Sequence, residues 1–187
     1  MPNPIAASSG SARLPEPARL PEAVRLPDAE ATRAFAAKLA QYLRPGDLLI
    51  LTGGLGAGKT TFTQGLGAAL QVKGQISSPT FIVAREHRAL KNGPNLVHVD
   101  AYRLGGLDEL DALDLDSSLD EAVTVVEWGS GLAEKLNDDH LEIEIARPQG
   151  GFWEDENPEA EERLITLKPH GNRWTSVDFT PLSCTSS

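Results

Sequence analysis

The chain has 187 residues, of which 40% are hydrophobic, and its formal net charge is −10. This length and apolar content are typical of one domain with a single core. The acidic balance argues against direct binding of nucleic acid, because that affinity comes mainly from clustered lysine and arginine side chains. The chain has neither an apolar stretch that could span a bilayer nor a signal-peptide pattern, so we expect a cytoplasmic protein. Its only cysteine, Cys184, can form neither a disulfide framework nor a metal cluster.

The N-terminal region contains a six-residue repeat, which occupies residues 12–17, 18–23 and 24–29. Its regular prolines remove backbone donors and block helix formation, which predicts a disordered arm over residues 1–26. A docking peptide is the alternative for this arm. The organised domain is then expected to span residues 27–170.

A helix followed by a strand is predicted at the start of this domain. Asp28 can cap the helix, and Pro45-Gly46 ends it. Its buried stripe consists of Ala31, Phe35, Leu39, Tyr42 and Leu43. The apolar run Leu-Leu-Ile-Leu at residues 48–51 then predicts a buried strand.

Directly after this strand, Gly53–Thr60 reads Gly-Gly-Leu-Gly-Ala-Gly-Lys-Thr, which satisfies the phosphate-loop pattern G-x-x-x-x-G-K-[ST]. Apolar residues at helical spacing follow, so the loop is expected to open onto a helix N-terminus. Its backbone amides would surround phosphate oxygens, and Lys59 would reach the terminal phosphates. The Thr60 hydroxyl would bind Mg²⁺, which needs few protein oxygens when phosphates hold it. A glycine-rich turn with a chance lysine is the alternative.

Five more strands are predicted by apolar runs or by alternation of apolar and polar residues, at 81–86, 96–100, 123–127, 141–145 and 164–167. The first two should pair antiparallel, since the turn signal Asn92-Gly93-Pro94 joins them. Short helices are expected within 108–120 and around 132–136. An acidic insertion at 148–162 and a flexible tail at 171–187 complete the prediction. This order of elements predicts a three-layer α/β fold of the P-loop NTPase type with a mixed sheet.

Two of the predicted strands end in carboxylates, Asp100 and Glu127. Ligands collect at the carboxyl ends of parallel strands, so both side chains could reach the magnesium site. One would hold the ion through water, and the other would orient the attacking water or a moving loop. An exposed acid without a role is the alternative for each. Ser78-Pro79-Thr80 either contacts the terminal phosphate or is only a helix-to-strand turn.

Four segments, in this order and spacing, resemble the TsaE family of bacterial ATPases, namely residues 56–62, 78–81, 98–104 and 126–128. The similarity covers about residues 26–147. The resemblance implies an ATPase that is weak alone and is needed to make threonylcarbamoyladenosine next to the anticodon of tRNA. It implies ATP and Mg²⁺ as cofactors and a TsaB–TsaD heterodimer as partner, with tRNA reached only through that complex.

The resemblance also implies roles for individual residues. Lys59, Asp100 and Glu127 would be catalytic, and Thr60, Glu127 and Asp100 would serve the metal. The nucleotide would contact Gly56, Ala57, Gly58, Lys59, Thr60, Thr61, Thr80, Trp128 and Thr32. Departures from the family pattern at Gly54, Val99, Ala101 and Gly129-Ser130 remove no phosphate or metal ligand, but they leave open the loop geometry beside Trp128. Trp128 could also be only a core aromatic.

Other classes of P-loop protein remain as alternatives. A small-molecule kinase would use the same loop but usually needs an arginine-bearing lid, for which Arg85, Arg88 and Arg103 are the candidates. A GTPase would need a guanine-reading Asn-Lys-x-Asp segment, which this chain lacks. A partner protein that binds ATP without cleaving it is the third alternative.

Overall fold

Seven strands form one mixed sheet in the computed structural model, which describes residues 19, 23–79, 83–113, 120–148 and 162–183. The strands are β1 (Val24–Leu26), β2 (Leu48–Thr52), β3 (Ala84–His87), β4 (Asn95–Asp100), β5 (Ala122–Glu127), β6 (His140–Ala146) and β7 (Arg163–His170). Their order across the sheet is β1-β7-β6-β2-β5-β4-β3. Strands β6, β2, β5 and β4 are parallel, whereas β1, β7 and β3 pair antiparallel with their neighbours. The predicted mixed sheet is therefore confirmed.

Helices cover the sheet on both faces. The described helices are α1 (Ala29–Leu39), α2 (Lys59–Ala69) and α3 (Leu107–Asp111). Alternate residues of β2 enter different cores: Leu49 and Leu51 pack beneath α1 and α2, and Leu48 and Ile50 pack on the face that carries α3. This arrangement confirms the three layers. Within the described ranges, no helix has the length and apolarity that crossing a bilayer requires.

Helix α1 begins directly after Asp28, the predicted capping residue. The Asp28 carboxylate accepts a hydrogen bond from the Ala31 N–H at 2.7 Å, which satisfies one of the amides that a helix start leaves unpaired. The helix continues as a 3-10 turn at Ala40–Tyr42 and stops before Pro45. Helix α1 then packs closely on α2, because Gly65 leaves no side chain between the two backbones.

Several short segments differ from their predicted form. The strand expected at 81–86 is described only as β3 (Ala84–His87), since residues 80–82 lie outside the described part, and its antiparallel pairing with β4 is confirmed. The helix expected around 132–136 is a 3-10 turn at Ala133–Lys135. The helix expected within 108–120 is α3, and residues 114–119 lie outside the described part.

The N-terminal arm predicted over residues 1–26 ends in a strand rather than in disordered chain. In β1, Val24 and Leu26 are buried while Arg25 between them is exposed, and all three pair with β7. The proline repeat predicted disorder, although residues 24–26 alternate between apolar and polar. Such an alternation stabilises a strand only when the edge of a sheet is available for pairing. Residues 1–18 and 20–22 lie outside the described part.

The predicted flexible tail also packs against the domain. Trp174 and Phe179 are fully buried, and Arg173 donates from Nε and Nη2 to the Asp47 carboxylate at 2.8 and 2.9 Å. The Arg173 guanidinium also lies 4.1 Å from the centre of the Trp174 ring. Burial of two large aromatic rings and a two-point ion pair explains why this segment is ordered. The flexible-tail prediction was wrong for residues 171–183.

We expect Trp174→Ala to lower the free energy of unfolding by about 3–5 kcal/mol, the usual cost of a cavity left by a large core aromatic. Urea denaturation followed by circular dichroism measures this loss. Ser176→Ala, at an exposed position two residues away, is the matched control and should leave stability unchanged. Wild-type stability of Trp174→Ala would show that the tail adds nothing to the core.

Candidate functional site

The carboxyl ends of three neighbouring strands bring the predicted site residues together. Strand β2 runs into the phosphate-loop segment, while Asp100 ends β4 and Glu127 ends β5. Asp100 and Glu127 are direct neighbours in the register of β4 and β5, and Glu127 is also opposite Leu51 of β2. The predicted meeting of both acids with the loop follows from this parallel register.

The loop has the backbone conformation that its glycines permit. Gly58 precedes α2 in the left-handed region with φ of +107°, which non-glycine residues rarely adopt. At the other end, a Cβ on Gly53 would collide with the carbonyl oxygen of Ile145 in β6. These two glycines let the loop turn sharply while resting on the end of the sheet. Lys59, Thr60 and Thr61 then form the first turn of α2.

Lys59 is buried beneath the loop in this structure. Its Nζ donates hydrogen bonds to the carbonyl oxygens of Gly53 and Gly54, both at 2.9 Å. It also lies 3.6 Å from the centre of the Trp128 ring, in a cation–π contact. Burial lowers the pKa of Lys59, and the nearby carboxylates of Glu127 and Asp100 oppose that shift. A partly desolvated ammonium of this kind is poised to pair with an anion.

Thr60 and Glu127 are in direct contact. The Thr60 hydroxyl donates to Glu127, with oxygen–oxygen distances of 3.0 Å to Oε1 and 3.2 Å to Oε2. His98, which is fully buried on β4, has its Nε2 only 2.7 Å from the same Oε1. The two partners hold the Glu127 carboxylate at the loop side of the sheet. A histidine in contact with this acid was not among the predicted site residues.

Asp100 is buried, and described residues on both sides of its carboxylate donate hydrogen bonds to it. The Ser78 hydroxyl donates to its Oδ2, and the Tyr102 backbone N–H donates to its Oδ1, both at 3.0 Å. The contact with Ser78 brings the segment after α2 next to Asp100, while a contact of Ser78-Pro79-Thr80 with the terminal phosphate stays a prediction. Thr80 itself lies outside the described residues.

Trp128 is half-buried and covers the Lys59 ammonium, while its contact with a nucleotide stays a prediction. It follows β5 in a left-handed conformation with φ of +61°, and its backbone N–H donates to the Leu51 carbonyl at 3.1 Å. The Tyr102 ring is inclined against it with 5.2 Å between ring centres. A left-handed tryptophan is uncommon and costs backbone energy, which is typical of residues placed by a functional site.

Thr32 makes its hydrogen bonds within α1. Both its N–H and its hydroxyl donate to the Asp28 carbonyl, at 3.1 and 3.0 Å, and its side chain is buried. The structure therefore gives Thr32 a role at the start of the helix. A nucleotide contact by Thr32 stays a prediction.

Sequence reasoning also missed two arginines beside the loop. Arg147, just beyond β6, and Arg163, at the start of β7, donate to loop carbonyl oxygens. They differ from the three arginines that sequence reasoning considered. No sequence signal marked them, because the two flank the insertion and become neighbours of the loop only when β6 and β7 pair.

The side-chain oxygens next to the loop are suitable ligands for a magnesium ion. Thr60 supplies a hydroxyl and Glu127 a carboxylate, and the two already touch at the mouth of the loop. Hard oxygens are the ligands that Mg²⁺ prefers, and it keeps waters and phosphate oxygens for its other positions. Within the described ranges, no cluster of three or more His, Cys, Asp or Glu side chains could hold a metal alone. An ion held mainly by phosphates needs no such cluster.

Comparison with known proteins identifies the family of this chain. Residues 26–152 match the model of the family described as "Threonylcarbamoyl adenosine biosynthesis protein TsaE". The chain belongs to the TsaE family. A Streptomyces coelicolor protein named tRNA threonylcarbamoyladenosine biosynthesis protein TsaE is 50% identical over 152 residues, which cover 81% of this chain and 99% of that relative.

More distant TsaE relatives match over most of the chain. A Bacillus subtilis protein of the same name is 37% identical over 146 residues, covering 78% of this chain and 84% of its own length. The crystal structure of Bacillus subtilis YdiB superimposes with a TM-score of 0.61 at 33% identity, covering 83% of this chain and 90% of that one. The family assignment places the chain in the formation of threonylcarbamoyladenosine in tRNA.

Proposed function

We propose that this protein is the ATP-binding and ATP-hydrolysing component of the machinery that forms threonylcarbamoyladenosine next to the anticodon of tRNA. In this proposal it acts on a TsaB–TsaD heterodimer and meets tRNA only through that complex. The main support is the contact of the loop residue Thr60 with Glu127, at 3.0 Å, directly beside the buried Lys59. A loop hydroxyl, a buried carboxylate and a buried ammonium therefore lie side by side, which is the combination that this proposal requires.

The chain's own groups suggest how the reaction proceeds. The amides of the loop and of the first turn of α2 bind phosphate oxygens, and Lys59 exchanges its Gly53 and Gly54 partners for the terminal phosphates. When bound, Mg²⁺ neutralises charge on the phosphate oxygens. Glu127 and Asp100 accept hydrogen bonds from water at the carboxyl edge of the sheet and orient it. Donors fixed before the reaction stabilise developing charge with little reorganisation.

Turnover of ATP tests the proposal. We expect slow hydrolysis by the chain alone and a rise of about tenfold or more when a TsaB–TsaD heterodimer is added, since modest sites often become competent only inside a complex. Phosphate release measured with and without the heterodimer gives both rates. Binding of ATP without hydrolysis in either state would favour a non-hydrolysing partner protein. Transfer of the phosphoryl group to a metabolite would favour the small-molecule kinase.

A further inference from the structure

Two arginine side chains hold the outer side of the phosphate-binding loop. Arg163 donates from Nε to the Ala57 carbonyl at 2.7 Å and from Nη2 to the Gly56 carbonyl at 3.4 Å. Arg147 donates from Nη2 to the same Gly56 carbonyl at 3.1 Å. Two consecutive carbonyl groups of the loop are therefore held by charged donors. Arg163 lies beyond the residues that the family model matches.

The absence of a side chain at Gly56 eases this close approach, whereas a side chain at Gly58 would meet Arg163 only at an ordinary contact distance. A Cβ on Gly56 would be 3.3 Å from Nη2 of Arg147, and a Cβ on Gly58 would be 3.7 Å from Nε of Arg163. Both guanidinium groups therefore lie directly against the loop backbone. Arg163 begins β7 and Arg147 directly follows β6, and because these two strands are paired, the backbones of both arginines are anchored in the sheet beside the loop.

A hydrogen bond to a loop carbonyl also fixes the direction of the N–H group in the same peptide unit. The peptide unit is planar and trans, so the N–H that follows a carbonyl points to the opposite side of the chain. With the Ala57 carbonyl bonded to Arg163, the Gly58 N–H faces away from the arginines. The peptide unit between Gly56 and Ala57 is held at both ends. Its carbonyl accepts from Arg147, and its N–H, that of Ala57, donates to the Gly54 carbonyl at 3.2 Å.

We propose that Arg147 and Arg163 are positioning residues that order the phosphate-binding loop before the nucleotide arrives. The inference rests on the proposed nucleotide binding. A loop that is already ordered binds more tightly, because less conformational freedom is lost on association. Hydrogen bonds from a charged donor are shorter and stronger than neutral ones, and the bond from Arg163 to the Ala57 carbonyl, at 2.7 Å, has this short length.

The test compares Arg147→Met, Arg163→Met and the double variant with a matched control. Arg25→Met is the control: Arg25 lies on β1 opposite Leu164, the residue after Arg163, and its side chain bonds Glu162 at 3.0 Å. It removes the same charge from the same edge of the protein without removing a bond to the loop. Arg163→Lys serves as a conservative variant that retains the charge and a single donor nitrogen.

Three measurements separate positioning from other roles. Each single Met variant should weaken binding of a non-hydrolysable ATP analogue with Mg²⁺ by about tenfold in calorimetry, the scale of one hydrogen bond to a charged group. The kcat should change by less than about threefold, because the reacting groups are untouched. Amides of residues 56–59 should exchange hydrogen faster in the nucleotide-free variants. Arg163→Lys should recover part of both effects, and Arg25→Met should match wild type.

Two results would overturn the inference. One is unchanged affinity and unchanged amide exchange in the double variant. The other is a fall in kcat of about 10³-fold with normal exchange, which would mean that an arginine acts on the transferred phosphoryl group. If the wild-type chain itself binds no nucleotide, the proposed function fails, while the exchange rates still decide whether the arginines order the loop. If the double variant does not fold, the same affinity and amide-exchange measurements on the single variants decide the question.

Discussion

Lys59→Ala is expected to abolish most nucleotide binding and to lower ATP turnover by about 10²- to 10³-fold, the scale for removing one donor to developing charge. The ammonium is the charged side chain at the base of the loop, and its burial makes each of its electrostatic contacts stronger than in water. Calorimetric titration with ATP and ADP in the presence of Mg²⁺ measures the affinity. Single-turnover hydrolysis measures the chemical step.

The fold should tolerate this substitution. Burial lowers the pKa of Lys59, so the charged form is disfavoured in the folded protein and costs stability at neutral pH. Removing the ammonium relieves that cost and also removes its contacts with Gly53, Gly54 and Trp128, so the two effects oppose each other and the melting temperature of Lys59→Ala should stay close to that of wild type. Lys73→Ala, which removes an exposed lysine, is the charge-matched control. Wild-type affinity of Lys59→Ala for ATP would contradict the assignment of the loop as a phosphate site.

The second large effect is expected at the two acids. Glu127→Gln should lower hydrolysis by about 10²- to 10³-fold while ATP affinity changes by less than about threefold, because the acid acts on water and metal rather than on phosphate. The glutamine keeps the shape of the side chain and an acceptor for Thr60 and His98. Measured affinities and single-turnover rates with increasing Mg²⁺ separate the loss of chemistry from the loss of binding.

Asp100→Asn should also lower the rate of ATP hydrolysis, as Glu127→Gln does. Asparagine retains an oxygen that can accept from Ser78 or Tyr102, so the substitution removes charge with little change in packing. Glu121→Gln, at an exposed position just before β5, controls for the loss of one negative charge. If both acid variants hydrolyse ATP at the wild-type rate, the catalytic assignment of Asp100 and Glu127 is rejected.

Most of the fold could be predicted from the sequence because its signals are local. The run at 48–51 followed by the loop pattern predicts a strand, a turn and a helix in that order, and β2, the loop and α2 occupy those positions. Alternation in 141–145 and 164–167 likewise predicts the strands β6 and β7. Side-chain periodicity and glycine placement act over a few residues, so no knowledge of the rest of the chain is needed.

The ends of the domain were harder to predict, because their order depends on distant partners. Val24 and Leu26 are ordered by pairing with β7, which lies more than a hundred residues later in the chain. Trp174 and Phe179 are buried only because the core beneath α1 is open to receive them. Short apolar segments carry little information by themselves, and long-range burial decides their state.

The sequence by itself determined the phosphate loop, the order of strands β2 to β7 along the chain and the acids that end β4 and β5. Each of these follows from residue types at fixed short spacings. Only the tertiary structure decided that His98 contacts Glu127, that Trp128 lies over Lys59 and that Arg147 and Arg163 hold the loop. These contacts join residues from different strands, and which strands become neighbours is set by the packing of the whole sheet rather than by any local pattern.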